Sequence, residues 1–275
     1  MTDELRERPV PFGANYDQTT DEPIVLPNQF PFLTVNGVSG IAVGFATNMA
    51  PHNLEEVINA TRWLVTHPNA DLDKLMSFVP GPDFPTGCEI VGLDGIREGY
   101  ETGRGKILIR APYTIENTGR GKSAIVFHEL PYEQNSEAII DQLKAAISKK
   151  QIVGIADVKD LTDRRNGIRL VIDVKAGVNA KVLVASLYKH TALETPFTFN
   201  NIALVNGRPK LLGLKEQLDI FIAHRMEVVT NRSQKRADKR NDRLHLIDAL
   251  MKALHKDVID ETIAIIRGSA DATTA

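Results

Sequence analysis

The stretch from Pro31 to Asn53, PFLTVNGVSGIAVGFATNMAPHN, constrains the fold of this chain more than any other. It carries no Asp, Glu, Lys or Arg, and it sets Gly37, Gly40 and Gly44 among Val35, Val38, Ile41, Val43 and Phe45. Glycine weakens a strand because it brings no side chain to pack, so glycine at this density marks a close approach of something else to the backbone. The run predicts a glycine-rich strand pair with Ile41 projecting between small residues. On the residues alone Ile41 has two readings. One is a core residue of the hairpin, the usual fate of an apolar residue in a strand; the other is a side chain reserved for whatever meets the glycines.

At 275 residues the chain is long enough for two structural units. Its hydrophobic and charged fractions, 43% and 25%, are those of an ordinary globular protein. A net charge of −2 announces no nucleic-acid binder, so any such contact must come from a local basic face. The single cysteine, Cys88, excludes an internal disulfide and suits a reducing cytoplasm; no motif surrounds it, and it reads as a small buried hydrophobe. No apolar run approaches membrane-spanning length and the amino terminus has no signal core, which gives a soluble cytoplasmic protein as the expectation.

Residues 1–30, rich in charge and proline, read as an extended lead-in. Asn53 and Glu56 have the spacing of an N-cap and its acidic partner, opening a helix that His67 and Pro68 end. A short helix near Asp71–Phe78 follows, then the rigid connector VPGPDFPTG and a strand over Cys88–Val91. The pentapeptide TGRGK occurs twice, at Thr102–Lys106 and Thr118–Lys122, each copy a loop opening one strand of an expected antiparallel pair. A phosphate-binding loop fails on spacing, because position 116 is Glu116 where glycine is required. Arg104 and Arg120 read either as solvated loop residues or as phosphate contacts. Ser136 is placed as a helix cap, Ile168–Val174 as a strand, Ala180–His190 as a helix, TPFTFN as a loop and VNGR as a two-residue hairpin turn. From Gly213 onward helix formers run without proline, with Ala237, Leu244 and Met251 at sevens beside Ile247 and Leu254, a short coiled-coil seam. The basic run from Arg232 to Arg243 reads as a solvated face.

Four of these motifs, NYD…EPIVLP, SGIAVG…ATN…PHN, GPDFPTG and RLHLIDAL, together spanning nearly the whole chain, resemble the A subunit of bacterial type IIA DNA topoisomerases, gyrase and topoisomerase IV. The resemblance implies an α+β tower-type domain of antiparallel strands and packed helices followed by the start of a long coiled-coil arm. Its expected division is 1–30 as a connector, 31–212 as the tower with its DNA-bending hairpin, and 213–275 as the first part of the arm. The family's DNA-cleaving tyrosine follows an arginine. Tyr16 sits in Asn-Tyr-Asp instead, and no other tyrosine here follows arginine, so the chain is expected to begin after the nucleophile and to be inactive alone.

What the resemblance implies for function is a segment of the breakage–reunion subunit of an ATP-dependent type II topoisomerase, which binds and bends the gate duplex. Ile41 is then the wedge between base pairs, which reverses the core reading. Ser39 and Gly40 permit close backbone approach, and Asn36, Arg104 and Arg120 are candidate phosphate contacts. No cofactor is expected in this chain; Mg²⁺ and ATP belong to a B-subunit partner. The other partners are double-stranded DNA and a second copy of the A-type chain. The alternative is a non-catalytic DNA-bending scaffold module, and a nucleotide-binding protein built on the TGRGK loops is disfavoured by their spacing.

Overall fold

The computed structural model describes residues 2–119, 122–165 and 167–268, in two compact units. The larger unit is Phe30–Ile222; the smaller combines residues 1–29 with 223–275. In chain order the strands are β1 (Phe12–Ala14), β2 (Asp21–Pro23), β3 (Val38–Ala42), β4 (Phe45–Met49), β5 (Glu89–Val91), β6 (Arg104–Arg110), β7 (Tyr113–Gly119), β8 (Lys122–Phe127), β9 (Ile155–Asp160), β10 (Leu170–Val174), β11 (Glu194–Asn200), β12 (Ile202–Val205) and β13 (Arg208–Leu211). The helices are α1 (Phe32–Asn36), α2 (Leu54–Thr66), α3 (Leu72–Met76), α4 (Asp94–Thr102), α5 (Ser136–Ser148), α6 (Ala180–His190), α7 (Leu214–Ala253) and α8 (Lys256–Gly268). The class is α+β with antiparallel sheets and packed helices leading to a 40-residue helix, as the sequence implied. Among the described residues no helix is long and apolar enough to cross a membrane.

Two sheets organise the larger unit. A five-stranded sheet runs in the order β3-β4-β11-β6-β5. Its inner face, with Ile107, Ile109, Phe197 and Phe199, packs with α2, α3 and α4 through Val57, Leu64, Leu75, Ile96 and Tyr100. A four-stranded sheet runs β7-β8-β10-β9, and Ile125, Phe127, Leu170 and Ile172 pack there with Leu143 of α5 and Leu187 of α6. Helix starts follow side-chain capping. Asn53 accepts from the Glu55 and Glu56 amides, Asp71 from Lys74, and Asn179 from Lys181.

Several expectations need correction. The cap of α5 is Asn135, which accepts from the Ala138 amide, and Ser136 is the first helical residue. TPFTFN is no loop but most of β11, paired with β6 from Glu194 through Asn200. β11 tolerates Pro196 because β4 pairs with β11 at Asn200 and not opposite the proline, so its missing N–H costs no ladder bond on that side. The two TGRGK copies do not open one antiparallel pair. The first begins β6 in the five-stranded sheet after closing α4 at Gly103; the second touches the β7–β8 hairpin of the other sheet, and its Arg120 lies outside the described residues. The VNGR turn is as expected, with Asn206 and Gly207 both at positive φ, 51° and 76°.

In the smaller unit the amino-terminal segment is not simply extended. A short 3-10 helix, Asp3–Glu7, precedes the β1–β2 pair. Part of the basic run is engaged rather than solvated. Glu4, 7% exposed, accepts from Arg225 at 2.6 and 3.0 Å and from Arg232. Glu7 accepts from Arg236 twice at 2.6 Å, and Lys235 donates to the Arg8 carbonyl. The hydrogen bond from Arg225, opposed by burial and reinforced by the charges of Arg225 and Arg232, holds the Glu4 carboxyl below its ordinary range. Leu244, Ile247, Met251 and Leu254 are exposed along α7 and just beyond it.

Candidate nucleic-acid interface

The uncharged run folds as α1 followed by the β3–β4 hairpin, with five residue pairs from Val38↔Met49 to Ala42↔Phe45 and the turn at Val43-Gly44. Its three glycines serve three purposes. Gly44 has φ +83 with nothing within 4 Å of a Cβ built there, so the turn's backbone requires it. Gly37 has φ +65, and a Cβ would lie 2.5 Å from the Met49 carbonyl oxygen, so chain crosses chain at the hairpin's base. Gly40 is neither strained nor crowded; it leaves open space on the outside.

On the opposite face and at its tip the hairpin presents apolar side chains. Ile41 is 93% exposed and Val43 is fully exposed, so the reading of Ile41 as core fails. The hairpin's base, in contrast, is locked. His52 is buried; its Nδ1 donates to the Thr34 carbonyl at 2.8 Å, and its amide bonds Val35 at 2.9 Å, tying α1 to the exit of β4. Burial pushes the imidazole down to about 4, against weaker opposition from hydrogen bonds to Thr34 and Ala50. Asn53, besides capping α2, donates to Asp83 at 3.1 Å, while the Asp83 amide donates to the Pro51 carbonyl. The PHN and GPDFPTG motifs, thirty residues apart in sequence, thus meet directly beneath the hairpin.

Register joins residues that the sequence leaves far apart. Ser39 pairs with Asn48, Asn48 with Asn200, and Asn200 with Arg104, one row across four strands. At ~4.8 Å per strand the row spans about 14 Å. Residues in a row share a face, and alternation adds Ile41 two residues from Ser39, with Lys106 and Thr198 two residues along from Arg104 and Asn200. This face is turned away from the core formed by Ile107, Phe197 and Phe199, and Ser39, Ile41, Arg104, Lys106 and Thr198 are all exposed on it. No salt bridge forms to Arg104 or Lys106 among the described residues, whereas Arg110, farther along β6, is paired with Glu194. The outer face therefore carries free positive charge at the hairpin end. Asn36 is exposed at the end of α1, outside the row.

Lys106, Asn48 and Asn200 belong to this surface and were not singled out from sequence; only long-range register reveals them. Beside the hairpin, β12–β13 closes an apolar groove of about 400 Å³ between Phe45 and Leu204. Among the described residues no group of three His, Cys, Asp or Glu side chains is placed to hold a metal ion.

The model of one family, the A subunit of DNA gyrase/topoisomerase IV, matches residues 1–275. The DNA gyrase A subunit of Treponema pallidum (strain Nichols) is 43% identical over 275 residues, covering all of this chain and 34% of the relative. The DNA topoisomerase 4 A subunit of Bacillus subtilis (strain 168) is 44% identical over 268 residues, 98% of this chain and 33% of the relative. The DNA gyrase A subunit of Staphylococcus aureus (strain MRSA252) is 46% identical over 266 residues, 97% of this chain and 30% of the relative. The chain spans about a third of the length of the curated relatives it matches.

Proposed function

The chain belongs to the family of DNA gyrase/topoisomerase IV A subunits, and from that footing we propose that it is the part of a DNA breakage–reunion subunit that holds and bends the gate duplex during strand passage and control of supercoiling. The observation that carries the reading is the 93% exposure of Ile41 on a hairpin whose base is fixed and whose neighbouring Gly40 leaves room for close approach. An apolar side chain held out in water gains roughly 1.5–3 kcal/mol when buried. Unstacking a base step costs a few kcal/mol, so the wedge alone comes close to balance and the bent state needs further contacts. In this reading Ser39 and Gly40 permit close backbone approach, and Arg104, Asn36 and Arg120 supply the phosphate contacts.

Phosphate contacts of this kind position a duplex without reading its sequence. In the complete assembly a tyrosine of the A-type subunit cleaves the duplex, and Mg²⁺ and ATP belong to a B-type partner. A second copy of the A-type chain completes the gate. The working compartment is the cytoplasm.

The test is fluorescence-anisotropy binding of a nicked or pre-bent duplex and of a straight one, across a salt series, to the chain and to Ile41→Ala. The expected result is a preference for the bent duplex that Ile41→Ala abolishes while the salt slope stays the same. Equal binding of both duplexes by the unmutated chain overturns the proposal.

A further inference from the structure

The hairpin that carries Ile41 is joined to its sheet by very little backbone. β3 and β4 share five residue pairs and β11 and β6 share seven, but β4 and β11 share one, Asn48↔Asn200. Above its fixed base, the angle of the two-stranded hairpin to the sheet is therefore set more by side chains than by the ladder.

Two side chains supply what the ladder lacks. The Asn48 amide donates to the Thr198 carbonyl at 2.8 Å, and the Asn200 amide donates to the Ala46 carbonyl at 2.6 Å. The arrangement is reciprocal, since each asparagine reaches the residue two positions before its partner. The Thr47 hydroxyl adds a bond to the Asn200 carbonyl at 3.3 Å. Both asparagines must present nitrogen rather than oxygen, because the group facing each is a carbonyl. The Asn200 Oδ1 has no hydrogen-bond partner among the described residues, so the side chain is held through its amide nitrogen.

We infer that Asn48 and Asn200 are positioning residues, a reciprocal amide clamp that sets the angle at which the hairpin presents Ile41. The inference rests on the reading of Ile41 as a wedge. A wedge acts only if its direction is fixed before the duplex arrives, since a swinging hairpin loses orientational freedom on binding.

The test uses the chain with Cys88→Ser, labelled at Val43→Cys on the tip and Glu98→Cys on α4, so that the distribution of tip-to-sheet distances is measured directly by electron spin resonance. Asn48→Leu and Asn200→Leu remove the amides at similar volume; Asn200→Asp sets a carboxylate against the Ala46 carbonyl. Each variant is expected to broaden the distribution and, without labels, to lower the bent-over-straight affinity ratio roughly fivefold, the worth of one ordinary hydrogen bond. The salt slope and melting temperature should be nearly unchanged. Asn200→Asp should recover both properties as acidification protonates the carboxyl and restores a donor. An unchanged distance distribution overturns the clamp whatever the DNA does, and a broadened distribution with full shape preference overturns its role in positioning. If the unmutated chain shows no shape preference, the wedge reading falls and the clamp's function falls with it.

Discussion

Two strands of the larger unit carry nearly the same tetrapeptide. Ser39-Gly40-Ile41-Ala42 lies in β3 and Ser123-Ala124-Ile125-Val126 in β8, yet Ile41 is 93% exposed and Ile125 is wholly buried. The difference is in the neighbours. β8 lies between β7 and β10, and both its faces are covered, Ile125 and Phe127 on one side, Ala124 and Val126 on the other. β3 is an edge strand with β4 alone beside it. Exposed apolar edges invite unwanted pairing, and most proteins blunt them with charge or proline. β3 has neither in this chain, which is expected of a surface kept for a partner.

The largest effect that sharpens the contrast is in stability. Ile125→Ala should cost about 2–5 kcal/mol, since it opens a cavity in a packed core. Ile41→Ala should stay within about 0.5 kcal/mol, as for an exposed surface site. Denaturant titration of both variants measures it, and a loss above about 1.5 kcal/mol for Ile41→Ala would show that its side chain is packed after all.

The next effect lies at the hairpin's base, where the exposed strand pair gains its rigidity. His52 is neutral in the fold, with its pKa lowered from 6.5 to about 4 by burial. The unfolded chain therefore binds the extra proton first as pH falls. The stabilisation from this group is whole above about pH 6.5 and is lost as pH falls toward 4, by about 3 kcal/mol over that window. Thermal melts of the chain and of His52→Gln between pH 7 and 4 should show a steeper decline for the unmutated chain. Parallel curves would mean that the imidazole takes up its proton in the fold.

These two regions also show which parts of the structure can be read from sequence. Capping at Asn53, the Asn206-Gly207 turn and the span Ala180–His190 are set by nearby residues, and the sequence predicts them. α4 goes unseen because Gly95 and Gly99 are poor helix formers. They stand there for tertiary reasons, since a Cβ on Gly95 would lie 1.9 Å from the Lys106 carbonyl oxygen and one on Gly99 would lie 2.7 Å from the Phe199 ring. The glycine-rich run marks Ile41, but the row from Ser39 to Arg104 depends on pairing across some 150 residues of sequence. Nothing local in ATN or FTFN announces that its asparagine will bridge two strands.

The smallest effect tests whether that row extends the wedge into an electrostatic surface. Arg104 forms no salt bridge among the described residues, so its charge is free for a phosphate, whereas Arg110 on the same face of β6 is committed to Glu194. Each phosphate neutralised releases counterions and contributes about 0.9 to the slope of log affinity against log salt. Arg104→Gln should flatten that slope by about one unit for bent and straight duplexes alike and leave their ratio unchanged. Arg110→Gln should leave the slope as it is and act on stability instead, through the loss of its partner's pairing. If both substitutions flatten the slope equally, the charge is spread along the whole outer face of β6, and the hairpin end has no special claim on the duplex.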